Sequence, residues 1–122
     1  MQAIINIDTP DVDGAERFYA EGLGLTRGRR LFGGAVAEMK LGAQLFHILP
    51  KNEGSPAFAG GPGRVYARHW TPVHLDFVVD RLEAAVERAL AAGATLERAI
   101  SSHDWGTHSG PLRSVRPRSV PN

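Results

Sequence analysis

Residues 72–93 read PVHLDFVVDRLEAAVERALAAG, and this stretch decides the fold. Its first half alternates, with one face carrying Leu75, Phe77 and Val79 and the other carrying His74, Asp76 and Val78. Such alternation predicts a strand over 72–79. In its second half, Asp80 can cap a helix, Glu83 follows three residues later, and apolar residues recur at helical spacing until Gly93. The second half therefore predicts an amphipathic helix that begins after Asp80.

A strand-helix unit of the same shape occurs earlier in the chain, at an offset of 70 residues. Residues 2–8 alternate as a strand does, with Ala3, Ile5 and Ile7 on one face and Ile4, Asn6 and Asp8 on the other. Thr9-Pro10-Asp11 is a helix-start signature, and apolar residues at helical spacing follow as far as Gly22. The offset aligns Ile4 with His74 and Asn6 with Asp76. We therefore predict that both opening strands turn these positions toward a shared cleft.

The rest of the chain completes two similar modules. Segments near 25–32, 35–41 and 43–49 are separated by glycines and predict three strands, whereas 94–100 predicts one more strand in the second unit. We predict an α+β fold in which two βαβββ-type modules form a curled mixed sheet around a cleft, the second module being incomplete at its C-terminus. The predicted divisions are module one at 1–50, a Gly- and Pro-rich connector at 51–70, module two at 71–106 and an atypical tail at 107–122.

Composition excludes several classes of protein. A chain of 122 residues is long enough for one hydrophobic core. It has no cysteine, which excludes disulfides, a thiolate nucleophile and sulfur-ligated metals. The net charge of +1 depends on Arg113, Arg116 and Arg118; the remaining chain has slightly more acidic than basic residues, which argues against nucleic-acid binding. Apolar runs are far shorter than the roughly 18 residues of a membrane span, so we expect no membrane association and a cytoplasmic location.

Two motifs resemble one family. Residues 18–25 read FYAEGLGL and residues 74–82 read HLDFVVDRL. Together with the repeated strand-helix order, they resemble the vicinal oxygen chelate superfamily, which includes glyoxalase I, bleomycin-resistance proteins, fosfomycin-resistance enzymes and extradiol dioxygenases. The resemblance covers about residues 2–106. It implies a small-molecule ligand or substrate, a divalent metal in the enzymes of the family, and a homodimer.

The resemblance also implies where metal ligands would lie. The first-strand ligand of the second module falls on His74, whereas the equivalent position in the first module is Ile4, which cannot ligate. The last-strand glutamate of the first module falls on His47, or on Phe46 if the register is shifted by one residue. His74 and His47 are therefore the candidate ligands of a divalent metal, and the set is incomplete within one chain. The alternative for both histidines is a hydrogen-bonded structural role.

The tail departs from the family pattern, in which a segment similar to Asp-Pro-Phe-Gly-His-Gly precedes a last apolar strand. Here residues 107–118 show no strand alternation, so we predict no strand in the tail. Codons exist for Arg113 to Arg118 that encode Asp-Pro-Phe-Gly-His when they are read one base later. We interpret the tail as the result of a shifted reading frame between Gly106 and Arg113, a hypothesis that the nucleotide sequence of the gene would test.

Candidate ligand-binding residues are the polar and aromatic side chains expected at the cleft. They are Asn6, Asp8, Phe46, His69, Trp70, His74, Asp76 and Trp105. For His69 and Trp70, a loop packed on the edge of the domain is the alternative interpretation. Arg27, Arg29 and Arg30 could attract an anion, although a charged strand edge that discourages aggregation is the favoured interpretation.

These observations lead to one functional hypothesis and two alternatives. The hypothesis is a small-molecule-binding protein of the glyoxalase/bleomycin-resistance type, without a complete metal site in one chain. One alternative is a divalent-metal-dependent lyase or isomerase of the glyoxalase type, in which a metal polarises a substrate oxygen. The other is an inactive relic of such a protein. The sequence assigns no catalytic residue.

Overall fold

The structure, a computed structural model, describes residues 1–97, 100–103, 106–109 and 115–117. The strands are β1 (Ile4–Thr9), β2 (Thr26–Leu31), β3 (Val36–Leu41), β4 (Gln44–Pro50), β5 (Ala94–Leu96), β6 (Ile100–His103), β7 (Gly106–Ser109) and β8 (Val115–Pro117). The helical elements are α1 (Val12–Arg17), a π-helical segment (Phe18–Gly22) that continues it, a 3₁₀ turn (Phe32–Gly34) and α2 (Leu82–Ala91).

Module one is built around a four-stranded mixed sheet. Its strand order is β1-β4-β3-β2, in which β1 runs parallel to β4 and the other neighbours are antiparallel. All four strands predicted in this part of the sequence form, as does the helix between the first two. The α+β fold with an open, mixed sheet is confirmed.

One face of this sheet carries the core. Alternate residues of the strands point toward the helical elements; Met39 and Ile48 are fully buried and Phe46 is 2% exposed. They pack with half-buried Ile5 and Ile7 of β1. The opposite sheet face, defined by Asn6, His47 and Glu38, is called the open face below, because it is turned away from α1 and the core.

The start of module two differs from its prediction. Leu75 and Phe77 are half-buried against the core, while His74, Asp76 and Val78 are exposed, so the alternation of burial is as predicted over 74–78. Val79, predicted on the buried face, is exposed. The predicted strand over 72–79 is nevertheless wrong, because this segment forms no strand in the structure. Alternation fixes which side chains are buried, but a strand also needs a hydrogen-bonded neighbour.

The second helix is capped one residue later than predicted, so it begins at Leu82. α2 has Arg81, not Asp80, at its N-cap position, and no side chain caps it. Its far end packs on module one, where Arg88 Nε donates to the carbonyl of Glu21 at 2.6 Å and Arg88 Nη2 donates to that of Ala20 at 3.2 Å. These bonds satisfy carbonyls at the end of the π-helical segment and hold the two modules together.

The prediction that the tail lacks strands is wrong for the segments that the structure describes. β7 and β8 lie within or beside the predicted tail; β7 forms a hairpin with β6, and β8 pairs with β5. The single strand predicted over 94–100 is divided, since β5 ends at Leu96 and β6 begins at Ile100. Among the helices described, none has both the length and the apolar composition needed to cross a membrane.

Candidate functional site

A row of polar side chains crosses the open face. The register places Asn6 of β1 beside His47 of β4, and His47 beside Glu38 of β3. The row continues to Arg29 of β2, whose guanidinium contacts Glu38. The structure therefore brings together Asn6, a predicted site residue, and His47, a candidate ligand. It adds Arg29, which the sequence indicated only as part of a charged strand edge, and Glu38, which no sequence pattern indicated.

The β3–β4 hairpin fixes the centre of this row. Gly42 has φ of +58°, a value that glycine adopts without steric cost, and the turn that contains it pairs Leu41 with Gln44. Counting outward from that pair places Glu38 opposite His47. The turn thus decides which two side chains of the hairpin are neighbours on the open face.

Glu38 is a buried carboxylate with three hydrogen bonds. Its side chain is 3% exposed. Arg29 Nε donates to Oε1 at 3.2 Å and Arg29 Nη2 donates to Oε2 at 3.1 Å, while His47 Nε2 lies 3.2 Å from Oε2. The bonds from Arg29 lower the pKa of Glu38 to about 2 against the opposing effect of burial, with His47 contributing in the same direction. Glu38 is therefore ionised at neutral pH.

Gly28 makes room for this carboxylate. A Cβ at position 28 would lie 3.0 Å from the Glu38 backbone oxygen and 3.1 Å from Oε1. The glycine lies at an irregularity of β2 between Arg27 and Arg30. This irregularity places Arg29 on the open face, whereas Arg30 contacts Asp13 and Glu16 of α1 on the opposite side.

His47 is held in one tautomer by its acidic neighbour. An ionised carboxylate can only accept, so Nε2 of His47 carries the hydrogen that is donated to Glu38. In the neutral ring, Nδ1 is then the acceptor. The side chain is 18% exposed, so the ring is shielded by its neighbours but still reaches the surface of the sheet.

The register separates His47 from Phe46. Phe46 is buried in the core, on the sheet face opposite to His47. Because neighbouring strand residues point to opposite faces, the two side chains cannot line the same cleft. Of the two positions that the resemblance left open for a first-module ligand, the open face holds His47, and we leave Phe46 out of the site.

Asp8 lies on the same strand face as Asn6, but it has a cationic partner. Arg64 Nε donates to Asp8 Oδ2 at 2.8 Å. Arg64 Nη1 also donates to the carbonyls of Ser55 and Pro56, at 3.2 and 2.9 Å. The part of the connector around 54–64 is thus a closed loop that one arginine fastens to the end of β1.

The remaining candidates lie along the extended segment that precedes α2. Trp70 is 83% exposed, and the ring of His69 donates through Nδ1 to the Trp70 carbonyl at 2.9 Å. His74 Nδ1 lies 3.7 Å from Asp76 Oδ1, and both side chains are more than half exposed. These residues form two local pairs on the solvent side of the segment. Trp105 lies outside the described residues.

Comparison with known proteins identifies the family. A family model described as a glyoxalase-like domain matches residues 4–114, which is most of the chain. The chain belongs to this family. The predicted resemblance to the vicinal oxygen chelate superfamily is confirmed, and the sequence has no significant match among curated proteins.

Solved structures of several glyoxalase-related proteins share the fold. A glyoxalase-related enzyme from Fulvimarina pelagi is similar with a TM-score of 0.64 and 21% identity, over 87% of this chain and 74% of that one. A glyoxalase/bleomycin resistance protein/dioxygenase from Nocardioides is similar with a TM-score of 0.58 and 16% identity, over 86% and 70%. Lactoylglutathione lyase from Agrobacterium tumefaciens is similar with a TM-score of 0.54 and 23% identity, over 87% and 79%. At these identities the likeness establishes the fold.

The side chains of this glyoxalase-like protein do not fit a divalent metal in the part of the chain that the structure describes. That part contains no group of three or more His, Asp or Glu side chains arranged to hold an ion, whereas a catalytic site needs about three protein ligands. The position equivalent to His74 in module one is Ile4, which offers no lone pair. Glu38, the carboxylate nearest His47, already accepts three hydrogen bonds.

The sequence analysis missed the centre of the site for an identifiable reason. Glu38 lies in an otherwise apolar stretch, and the signal that could have found it is the Gly42 turn, which pairs it with His47. Arg29 had no comparable signal. In a regular strand it would share a face with Arg27, and only the irregularity of β2 separates them.

Proposed function

We propose that this protein binds a small organic molecule on the open face and that it does so without a metal ion, in the manner of the antibiotic-binding rather than the metal-dependent members of its superfamily. The observation that carries the proposal is the row of Asn6, His47, Glu38 and Arg29 on the sheet face turned away from the core. Arg29 offsets the charge of the buried Glu38 carboxylate. The side chains of the row can therefore hydrogen-bond to a ligand without a metal ion.

Asn6 and His47 are the proposed central contacts. Asn6 is exposed and offers both a carbonyl oxygen and an amide, and the His47 ring offers Nδ1. From module two, His74 and Asp76 are proposed as further polar contacts and Trp70, with His69, as an aromatic rim that stacks on a planar ligand. Asp8 is proposed to act with Arg64 at the end of β1, and Trp105 stays a predicted contact.

A thermal-shift screen with planar, polar small molecules tests the proposal. A ligand at about one hundred times its Kd is expected to raise Tm by roughly 10 °C. The shift should be lost in His47→Ala and kept in Glu87→Ala, which alters an exposed residue of α2 away from the open face. A shift that survives His47→Ala, or the absence of any shift across the screen, contradicts binding at the open face; the second result favours the inactive relic.

Metal analysis of the purified protein distinguishes the lyase or isomerase alternative. We expect substoichiometric divalent metal and thermal shifts that chelation does not change. One tightly bound ion per chain that is lost in His74→Ala would overturn the metal-free proposal and would favour metal-assisted chemistry instead.

We further propose that two copies of the chain associate. Trp70, Val73 and Val78 are strongly exposed on the segment before α2, and the outer edge of β1 is unpaired within the described residues. Exposed apolar side chains and a free strand edge each favour association with a second chain. Light scattering should give twice the mass of one chain, and a monomeric mass at working concentration would refute the homodimer.

A further inference from the structure

Glu38 is bound to its two partners through one shared oxygen. Both His47 Nε2 and Arg29 Nη2 lie within hydrogen-bond distance of Oε2, at 3.2 and 3.1 Å. The two bonded nitrogens, His47 Nε2 and Arg29 Nη2, are therefore no farther apart than two hydrogen bonds laid end to end, with Glu38 between them. A ligand that contacts both side chains has to reach the nitrogens that are not bonded to Glu38.

Arg29 retains donors after it has paired with Glu38. Its guanidinium has five N–H groups, and only Nε and one N–H of Nη2 are used in the bonds to Glu38. The side chain is 73% exposed, so the outer edge of the guanidinium faces solvent. Planar N–H donors of this kind bind carboxylate oxygens in a defined geometry.

The charge around this edge favours an anion. Glu38 offsets the charge of Arg29, but Lys40, two residues along β3 on the same sheet face, is exposed and adds a further cation. Asp8, the acidic residue of β1 on the open face, is paired with Arg64. The open face around Glu38 therefore carries a net positive charge.

His47 contributes the opposite hydrogen-bonding character. With its Nε2 hydrogen donated to Glu38, the neutral ring presents Nδ1 as an acceptor. A ligand that satisfies both partners must accept from Arg29 and donate to His47. An organic acid with a second hydroxyl or amino group has this combination.

We infer that Arg29 and His47 form a recognition pair for small hydroxy- or amino-substituted organic acids, in which Arg29 binds the carboxylate and His47 Nδ1 accepts from the second group. The inference rests on the proposed function, because it uses the same face. Glu38 is a positioning residue: it orients the guanidinium and fixes the tautomer of the ring. No bond of the free protein has to break when such a ligand binds.

Calorimetric titration with hydroxybenzoates tests the pair. The probes are 2-, 3- and 4-hydroxybenzoate, with benzoate lacking the donor and the methyl esters lacking the charge. At least one hydroxybenzoate should bind about tenfold more tightly than benzoate, and its methyl ester should lose about tenfold in affinity. If benzoate binds as well as every hydroxybenzoate, His47 is not an acceptor and the inference fails.

Variants assign the two roles. Arg29→Gln should weaken hydroxybenzoate binding about tenfold, whereas the matched control Arg27→Gln should not, because Arg27 lies toward Glu16 on the helix side of the same strand. His47→Phe keeps a ring but removes the acceptor, so it should bind hydroxybenzoate and benzoate equally. Equal weakening by Arg29→Gln and Arg27→Gln, or discrimination that persists in His47→Phe, overturns the inference.

The tautomer of His47 distinguishes a positioning role of Glu38 from a merely structural one. Only a positioning residue should change the tautomer when it is replaced. Nitrogen-15 spectra should show the Nε2–H form in the native protein and a mixture of forms in Glu38→Gln, while the circular dichroism of that variant confirms its fold. A native ring that carries a proton on Nδ1, either alone or together with the proton on Nε2, contradicts the inference. If other compounds of the screen bind at the open face but no hydroxybenzoate does, this ligand class is refuted and the proposed function stands. If no compound binds, both are refuted.

Discussion

Replacing Phe46 by alanine tests the strand register on which the whole site depends. Phe46 is 2% exposed and packs with Met39 and Ile48 between the sheet and the helical elements. A buried aromatic side chain removes on the order of 200 Å² from water, at about 25 cal/mol per Å². This transfer term sets the cost near 5 kcal/mol, and truncations of buried phenylalanine typically cost about 3–5 kcal/mol. We expect Phe46→Ala to lower the free energy of unfolding by about 4 kcal/mol.

Urea unfolding, followed by circular dichroism, measures this loss against two controls. Asn6→Ala, which alters an exposed side chain on the open face, should change the free energy of unfolding by no more than about 0.5 kcal/mol. Phe46→Leu, which keeps much of the buried volume, should cost about 1 kcal/mol and remains measurable if the alanine variant is unfolded. A loss below about 1 kcal/mol for Phe46→Ala would mean that β4 is shifted by one residue. His47 would then belong to the core, and the recognition pair would not exist.

Three further outcomes follow from the same contacts. The pKa of Glu38 falls from 4.5 to about 2 on folding. The ionised carboxylate therefore stabilises the fold above pH 4.5, and this contribution is lost as the pH falls toward 2. Over this range, Tm of the native protein should fall more steeply than Tm of Glu38→Gln. Arg64→Ala removes the bonds that fasten the loop around 54–64 to Asp8, and limited proteolysis should cut that loop faster than in the native protein. Gly28→Ala crowds the Glu38 carboxylate, and urea unfolding should show a loss of about 1 kcal/mol together with weaker hydroxybenzoate binding.

The sequence predicts the elements of module one well because their signals are local. Thr9-Pro10-Asp11 begins a helix, Asp11 does cap it by accepting from Gly14 N at 3.0 Å, and glycine turns delimit the strands. The segment over 72–79 has an equally clear pattern, and its burial follows that pattern over 74–78. It forms no strand because pairing depends on a partner elsewhere in the molecule, which no local pattern specifies.

The site was harder to predict than the fold because a single irregularity rearranges its charges. In a regular β2, Arg27 and Arg29 would share one face and Arg30 would take the other. The shift of register between Arg27 and Arg30 instead lets Arg27 and Arg30 both reach Glu16, while Arg29 alone reaches Glu38. Three arginines that resemble a uniform charged edge in the sequence thus have two distinct roles.

The bonds of the Glu38 carboxylate limit how a metal ion could bind in module one. A metal bound through His47 Nε2 would displace the hydrogen bond to Glu38, and a metal bound by Glu38 would compete with the two bonds from Arg29. His47 Nδ1 is the one atom of this pair that could ligate a metal without breaking these bonds. Binding through Glu38 would separate a carboxylate that is 3% exposed from the guanidinium that offsets its charge, which is costly for a buried charge. In the proposed complex, an organic acid would use only Nδ1 of His47 and the outer N–H groups of Arg29, so every existing bond would be kept. His47 alone is short of the about three protein ligands of a catalytic metal site, and within the described residues this shortage is what supports the proposed metal-free binding on the open face.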